Sequence, residues 1–152
     1  MVKKMDKTDK AILKNLQKNA RMTISDLSVA ISLSMPAASE RLRKLETSGV
    51  IKQYTVILDP EKINKHLMAL MFLRFASTTA GEEFAEYAKT EPEINECYYI
   101  TGDFDYYLKI ITEDARTLKS LLSRIKNHPG LVKTSNLVVL SNIIDNVSAL
   151  SD

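Results

Sequence analysis

Between Pro36 and Ser48 the chain reads PAASERLRKLETS. Arg41, Arg43 and Lys44 are residue types that reach phosphates and the acceptor edges of guanine. Ala37 and Ser39 are small enough to let a helix backbone approach a groove floor, and Glu40 can orient a neighbouring arginine. The plainer reading is a solvated helix face carrying local ion pairs, Glu40 with Arg43 or Lys44. Which reading holds depends on the element that carries these residues. A short way downstream, Lys52 and Tyr54 stand where they can touch a DNA backbone or minor groove.

Three short helices are expected to position this set. Asp6 is a candidate N-cap with Asp9 three residues on, and Ile12, Leu13, Leu16 and Ala20 share one face. A second helix starts near Thr23, with Ile24, Leu27 and Ile31 on its stripe. After a break at Ser32-Leu33-Ser34, Ser34 caps a third helix with Pro36 in its first turn, where a missing N–H costs no hydrogen bond. Ala38, Leu42 and Leu45 face inward and Gly49 ends the helix. That leaves Ala37, Glu40, Arg43 and Lys44 outward, with Ser39 and Arg41 on the flanks. A second helix of about two turns cannot stand alone. Joined to the third by a tight turn and braced by the first, it makes a helix-turn-helix over about 23–48. The β-branched run 51–58 (IKQYTVIL) is expected as a wing strand.

Charge points the same way. Residues 1–58 carry eight lysines and three arginines against five acids, whereas 59–152 carry ten basic residues against fourteen acids. A basic head on an acidic body suits contact with a polyanion. The longest apolar run, Leu67 to Leu73, is seven residues, far short of the roughly 20 that span a bilayer. The first ten residues are basic with no apolar stretch behind them, so no export signal and a cytoplasmic, nucleoid-associated protein are expected. Cys97 is the only cysteine, which excludes an internal disulfide and a cysteine-rich zinc site. It lies mid-strand, and His66 and His128 fall in a linker and a turn. No catalytic residue, metal site or cofactor is expected.

Residues 59–66 (DPEKINKH) read as a linker between a head at 1–58 and a second domain at 67–152. That domain is expected to run strand (Met68–Phe75), helix (Gly81–Thr90), strand (Ile94–Ile100), strand (Asp105–Thr112), helix after Asp114, and a long strand (Val132–Ile144). Within the last, the run LVVL suggests cover on both faces. The order is βαββαβ, a ferredoxin-like α+β sandwich. The sheet's open face carries Met, Phe, Tyr, Ile and Val, too apolar to stay wet, so a homodimer through that face is expected.

The segment from Asp6 to Pro60 resembles the DNA-binding half of the Lrp/AsnC (leucine-responsive, feast/famine) regulators. EINECYYITGDFDYYLKI and the late NLVVL resemble that family's effector-sensing dimerisation module. The resemblance implies a winged helix-turn-helix plus a ferredoxin-like (RAM/ACT-like) domain, with double-stranded DNA as partner and dimers that assemble into octamers or open helices. It also implies an amino-acid or small-metabolite pocket at the turn Thr101-Gly102-Asp103-Phe104-Asp105-Tyr106. A glycine turn can offer backbone N–H groups to an α-carboxylate, and Asp103 or Asp105 can take the α-ammonium. Tyr99, Thr134, Ser135 and Asn136 would complete the rim. The plainer reading is a tight β-turn in which Asp and Gly only satisfy backbone geometry. Two further alternatives are a DNA-wrapping architectural protein without effector and, more remotely, a siroheme-decarboxylase-like enzyme of the same fold. The chain departs from the family in having Ser32, and Lys65 or His66, where glycine is common.

Overall fold

A computed structural model describes residues 5–144, which divide into two compact units between Val56 and Ile57. The first unit holds α1 (Lys7–Lys18), α2 (Ile24–Ala30) and α3 (Met35–Thr47). Each start is fixed by a side-chain cap: Asp6 bonds the Asp9 N–H, Thr23 that of Asp26, and Ser34 that of Ala37. These caps satisfy donors that a helix start leaves open, each contributing about 1 kcal/mol. Ile12, Leu16, Leu27 and Leu45 form the buried core, with Met22, Ile24, Leu42 and Ile51 packed against it. Ala20 lies beyond the end of α1 and is exposed; Met22 takes the place expected for it.

The turn between α2 and α3 is a Schellman closure. The Leu33 N–H donates to the Ser28 carbonyl at 2.9 Å and the Ser32 N–H to that of Val29 at 3.2 Å. This geometry needs a left-handed residue at its centre, and Ser32 supplies it with φ 54°. The expected wing strand does not form. Residues 52–58 run as irregular backbone with no ladder partner among the described residues, and Val56, Ile57 and Leu58 are exposed. A β-branched run becomes a strand only where another strand meets its backbone, and no second strand lies among the described residues of this unit.

The second unit opens with a short 3₁₀ turn at Glu61–Ile63. It continues with β1 (Leu67–Phe75), α4 (Thr78–Ala88), β2 (Ile94–Tyr99), β3 (Tyr106–Thr112), α5 (Ala115–Lys126) and β4 (Leu131–Val138). The sheet order is β2-β3-β1-β4, with every neighbouring pair antiparallel. Ala69, Met71, Leu73 and Phe75 of β1 alternate into the core with Tyr106, Leu108 and Ile110 of β3. Phe84 and Ala88 of α4 and Leu118, Leu121 and Ile125 of α5 meet them. The helix over Gly81–Thr90 starts earlier than expected, because Ser77 caps it and bonds the Ala80 N–H at 3.2 Å.

β4 is shorter than expected and is not covered on both faces. β1 ends at Leu67 and gives it no partner beyond Val139, while Leu137 and Val138 stay about half exposed and Leu140 is fully so. The face away from the helices carries Leu70, Phe72, Tyr107 and Leu137 in cross-strand register. An aromatic row runs across it: Phe72 lies 5.4 Å from Tyr107 and 5.7 Å from Phe104, and Tyr107 lies 5.9 Å from Tyr98.

Candidate DNA-binding and effector sites

On α3, Ala38 and Leu45 are buried, which leaves Pro36, Ser39, Glu40, Arg43 and Lys44 exposed and Ala37 half-buried. Glu40 organises this face. Its two carboxylate oxygens accept from Arg43 Nε at 3.0 Å and Nη2 at 2.9 Å, and Lys44 Nζ lies 3.4 Å away. The Arg43 hydrogen bonds hold the Glu40 carboxyl below its ordinary range. One carboxylate thus serves two cations, leaving a net positive patch whose guanidinium plane is held in a defined orientation.

Arg41 is placed otherwise. It was expected to reach a phosphate or guanine, but its Nη1 donates to Asp6 at 2.7 Å and Asp9 at 2.8 Å, turned toward α1. Nothing in its own helix signals this; the partners lie 35 and 32 residues upstream. Tyr54 is also engaged within the protein. Its hydroxyl donates to Glu46 of α3 at 2.7 Å, and burial followed by that carboxylate pushes its pKa up to about 12. Lys52 is exposed.

In the second unit the structure brings together only part of the expected effector set. Gly102 tops the β2–β3 turn at φ 118°, flanked by exposed Thr101 and Asp103. Asp105 anchors the turn: its N–H donates to the Leu73 carbonyl and its carbonyl accepts from Ile100, both at 2.8 Å. Its Oδ2 accepts from the Phe75 N–H at 2.7 Å, so one carboxylate oxygen is committed to backbone. Phe104 points to the open sheet face, under Lys133 Nζ at 4.8 Å.

Below the turn lies a cavity of about 240 Å³, lined among others by Arg74, Ser77, Thr78, Tyr99, Asp105 and Tyr106. Tyr106 is buried and lines this cavity. Its hydroxyl has no hydrogen-bond partner among the described residues, and burial raises its pKa. It fits only because residue 81 is glycine, since a Cβ there would sit 2.9 Å from the ring. Arg74 is exposed and pairs with no carboxylate among the described residues. The α4 start adds Ser77 and Thr78 at the positive end of a helix dipole. Sequence reading missed Arg74, Ser77 and Thr78; the serine-threonine pair before an apolar helix stripe was the available signal.

Thr134, Ser135 and Asn136 do not join this cavity. They pair with Leu73, Phe72 and Met71, on the side of β1 away from β3. Next to the cavity, a groove between α4 and β2 is lined by Ile94, Cys97, Tyr99 and Tyr106, and partial burial raises the Cys97 thiol pKa. No group of three or more metal-ligating side chains occurs among the described residues. No helix among them is long and apolar enough to cross a membrane.

Residues 5–52 match the winged helix-turn-helix DNA-binding family, and residues 68–149 match the Lrp/AsnC ligand binding domain. A Bacillus subtilis protein named as an uncharacterized HTH-type transcriptional regulator, YezC, is 38% identical over 138 residues, spanning 91% of this chain and 95% of that one. The leucine-responsive regulatory protein of Klebsiella pneumoniae is 33% identical over 144 residues, spanning 93% and 88%. The solved structure of the transcriptional regulator NMB0573 from Neisseria meningitidis, in complex with L-Met, is similar with a TM-score of 0.92. Its identity is 32%, with 97% of both chains covered. With a capped helix-turn-helix, a β2-β3-β1-β4 sheet and both matches in this order, the chain belongs to the Lrp/AsnC family and is a DNA-binding transcriptional regulator.

Proposed function

We propose that this regulator reads double-stranded DNA through the outward face of α3 and is tuned by a free amino acid held beside the β2–β3 turn. The head at 1–58, with Pro36, Ala37, Ser39, Glu40, Arg43 and Lys44, makes the groove contact, and Lys52 reaches backbone. The linker is 59–66, and 67–152 senses and assembles. The observation that carries the effector reading is the cavity under the turn, whose lining includes both Arg74, which pairs with no carboxylate among the described residues, and Asp105, one of whose carboxylate oxygens is held by the Phe75 N–H. An α-carboxylate pairs with Arg74 and the α4 start, an α-ammonium with the Asp105 carboxylate, and the side chain lies against Tyr99 and Tyr106. Thr101, Gly102 and Asp103 form the outer lip. The L-Met held by a relative of the same fold supports this choice of ligand class.

A thermal-shift screen of the twenty amino acids tests it. At a hundredfold excess over its Kd, a true effector stabilises the protein by about 2.7 kcal/mol. The shift disappears in Arg74→Ala. No shift with any amino acid, or one undiminished in Arg74→Ala, overturns the reading.

Two copies join through the Leu70, Phe72, Tyr107 and Leu137 face, and dimers build to an octamer or higher in the cytoplasm, on the nucleoid. Its apolar row is the support, since such a face is costly to leave wet. A monomer at micromolar concentration in light scattering refutes it.

A further inference from the structure

We infer that Arg41 does not touch DNA but clamps α3 to the start of α1, and so sets the pose of the DNA-reading helix. The inference rests on the reading of α3 as that helix. The two carboxylates that hold Arg41 are those that cap α1, and each divides its oxygens. Asp6 Oδ1 accepts from the Asp9 N–H at 2.8 Å while its Oδ2 takes Arg41. Asp9 Oδ2 accepts from the Asp6 N–H at 3.4 Å while its Oδ1 takes Arg41. The helix start therefore fixes both acceptors in space before the arginine arrives. A guanidinium that joins two pre-oriented carboxylates is restrained in position and direction.

Charge separates Arg41 from its neighbours. In the Asp6–Asp9–Arg41 cluster two carboxylates against one guanidinium leave a net −1, which repels a phosphate. In the Glu40–Arg43–Lys44 cluster of the same helix, one carboxylate against two cations leaves a net +1. Exposure divides the same way: the Arg41 side chain is 36% exposed, Arg43 62% and Lys44 66%. With α1 capped and α3 tied to the cap, the angle at which Arg43 and Lys44 are presented depends on Arg41, which itself makes no contact.

The test compares Arg41→Gln, the double variant Asp6→Asn/Asp9→Asn, their combination, and Arg43→Ala. Asparagine caps a helix about as well as aspartate, so the double variant removes charge while keeping the α1 start. Binding is followed by fluorescence anisotropy over a salt series on two probes. One is a duplex selected by the wild-type protein from a random pool, the other a mixed-sequence duplex. If Arg41 is a clamp, Arg41→Gln and the Asp double variant each lower the selected-to-mixed affinity ratio about fivefold, and the combination is no worse than either. The salt slope of Arg41→Gln on the mixed duplex stays that of wild type. If Arg41 is a phosphate contact, Arg41→Gln lowers that slope by about one. The Asp variant then leaves the ratio unchanged or raises it, by freeing the arginine. Either result overturns the clamp while α3 remains the reading helix, provided Arg43→Ala weakens the selected duplex. If Arg43→Ala changes neither probe, the α3 assignment falls and the clamp with it.

Discussion

The two units solve the problem of holding a site in opposite ways. Among its described residues the head buries five apolar side chains, Ile12, Leu16, Leu27, Ala38 and Leu45, and relies on helix ends: three side-chain caps, one Schellman turn and a clamp between α1 and α3. The body buries twelve, interdigitated between two helices and a sheet, and its site lies where the strand ends meet a helix start. A three-helix unit has too little interior to specify itself by packing alone, so polar end-chemistry carries much of its definition. The body packs one sheet face against its two helices and leaves the other, with its aromatic row, uncovered among the described residues.

This contrast is open to measurement. The largest effect belongs to Phe84→Ala. Phe84 is wholly buried, with ring centroids 5.2 Å from both Phe75 and His128. Its truncation costs about 3–5 kcal/mol. The chain has no tryptophan and five of its six tyrosines lie in the body, so urea unfolding followed by tyrosine fluorescence reads that loss. A change under 1 kcal/mol shows that the body does not depend on its core in this way.

A smaller effect comes from the body's main polar tie. Arg124 of α5 bonds Glu91 at 2.8 and 3.1 Å and Glu93 at 2.9 Å. The Arg124 hydrogen bonds hold the Glu91 carboxyl below its ordinary 4.5. A carboxyl whose folded pKa is depressed stabilises the fold above the unfolded value and loses that contribution as pH falls through the folded one. Arg124→Ala therefore lowers stability by about 1–2 kcal/mol at neutral pH, with partial exposure already discounted. The gap to wild type narrows below pH 4.5. A gap that is constant from pH 7 to 3 breaks the assignment.

The smallest effect is a gain, and it tests the head. Ser32 sits in left-handed backbone that glycine adopts without a Cβ penalty. Ser32→Gly raises the stability of the head by about 0.5–1 kcal/mol, seen as a higher melting temperature by circular dichroism. A loss shows that the Schellman turn is not where the head stores strain.

These differences also explain what the sequence disclosed. The caps at Asp6, Thr23, Ser34 and Asp114 were legible because each is a local contract between a side chain and a backbone three residues on. The alternation of β1 and β3 was legible because it repeats. The run 51–58 misled because a strand is a property of two segments, and β-branched composition speaks for only one of them. The ion pairs of Arg41 were illegible for the same reason, its partners lying more than 30 residues upstream. The lining of the cavity under the β2–β3 turn was half legible. Tyr99, Asp105 and Tyr106 converge, but membership of Arg74 depends on how the end of β1 meets a turn 30 residues downstream.

Cys97, the chain's only thiol, has a use beyond packing. It stands in register with Leu108 on β2, at the edge of the groove that shares Tyr99 and Tyr106 with the cavity. A maleimide fluorophore attached there is single-site without any cysteine being engineered out. Because burial raises the thiol's pKa, labelling runs faster on the alkaline side of neutral. The natural sequence thus comes with its own optical reporter at the place where an effector is to be looked for.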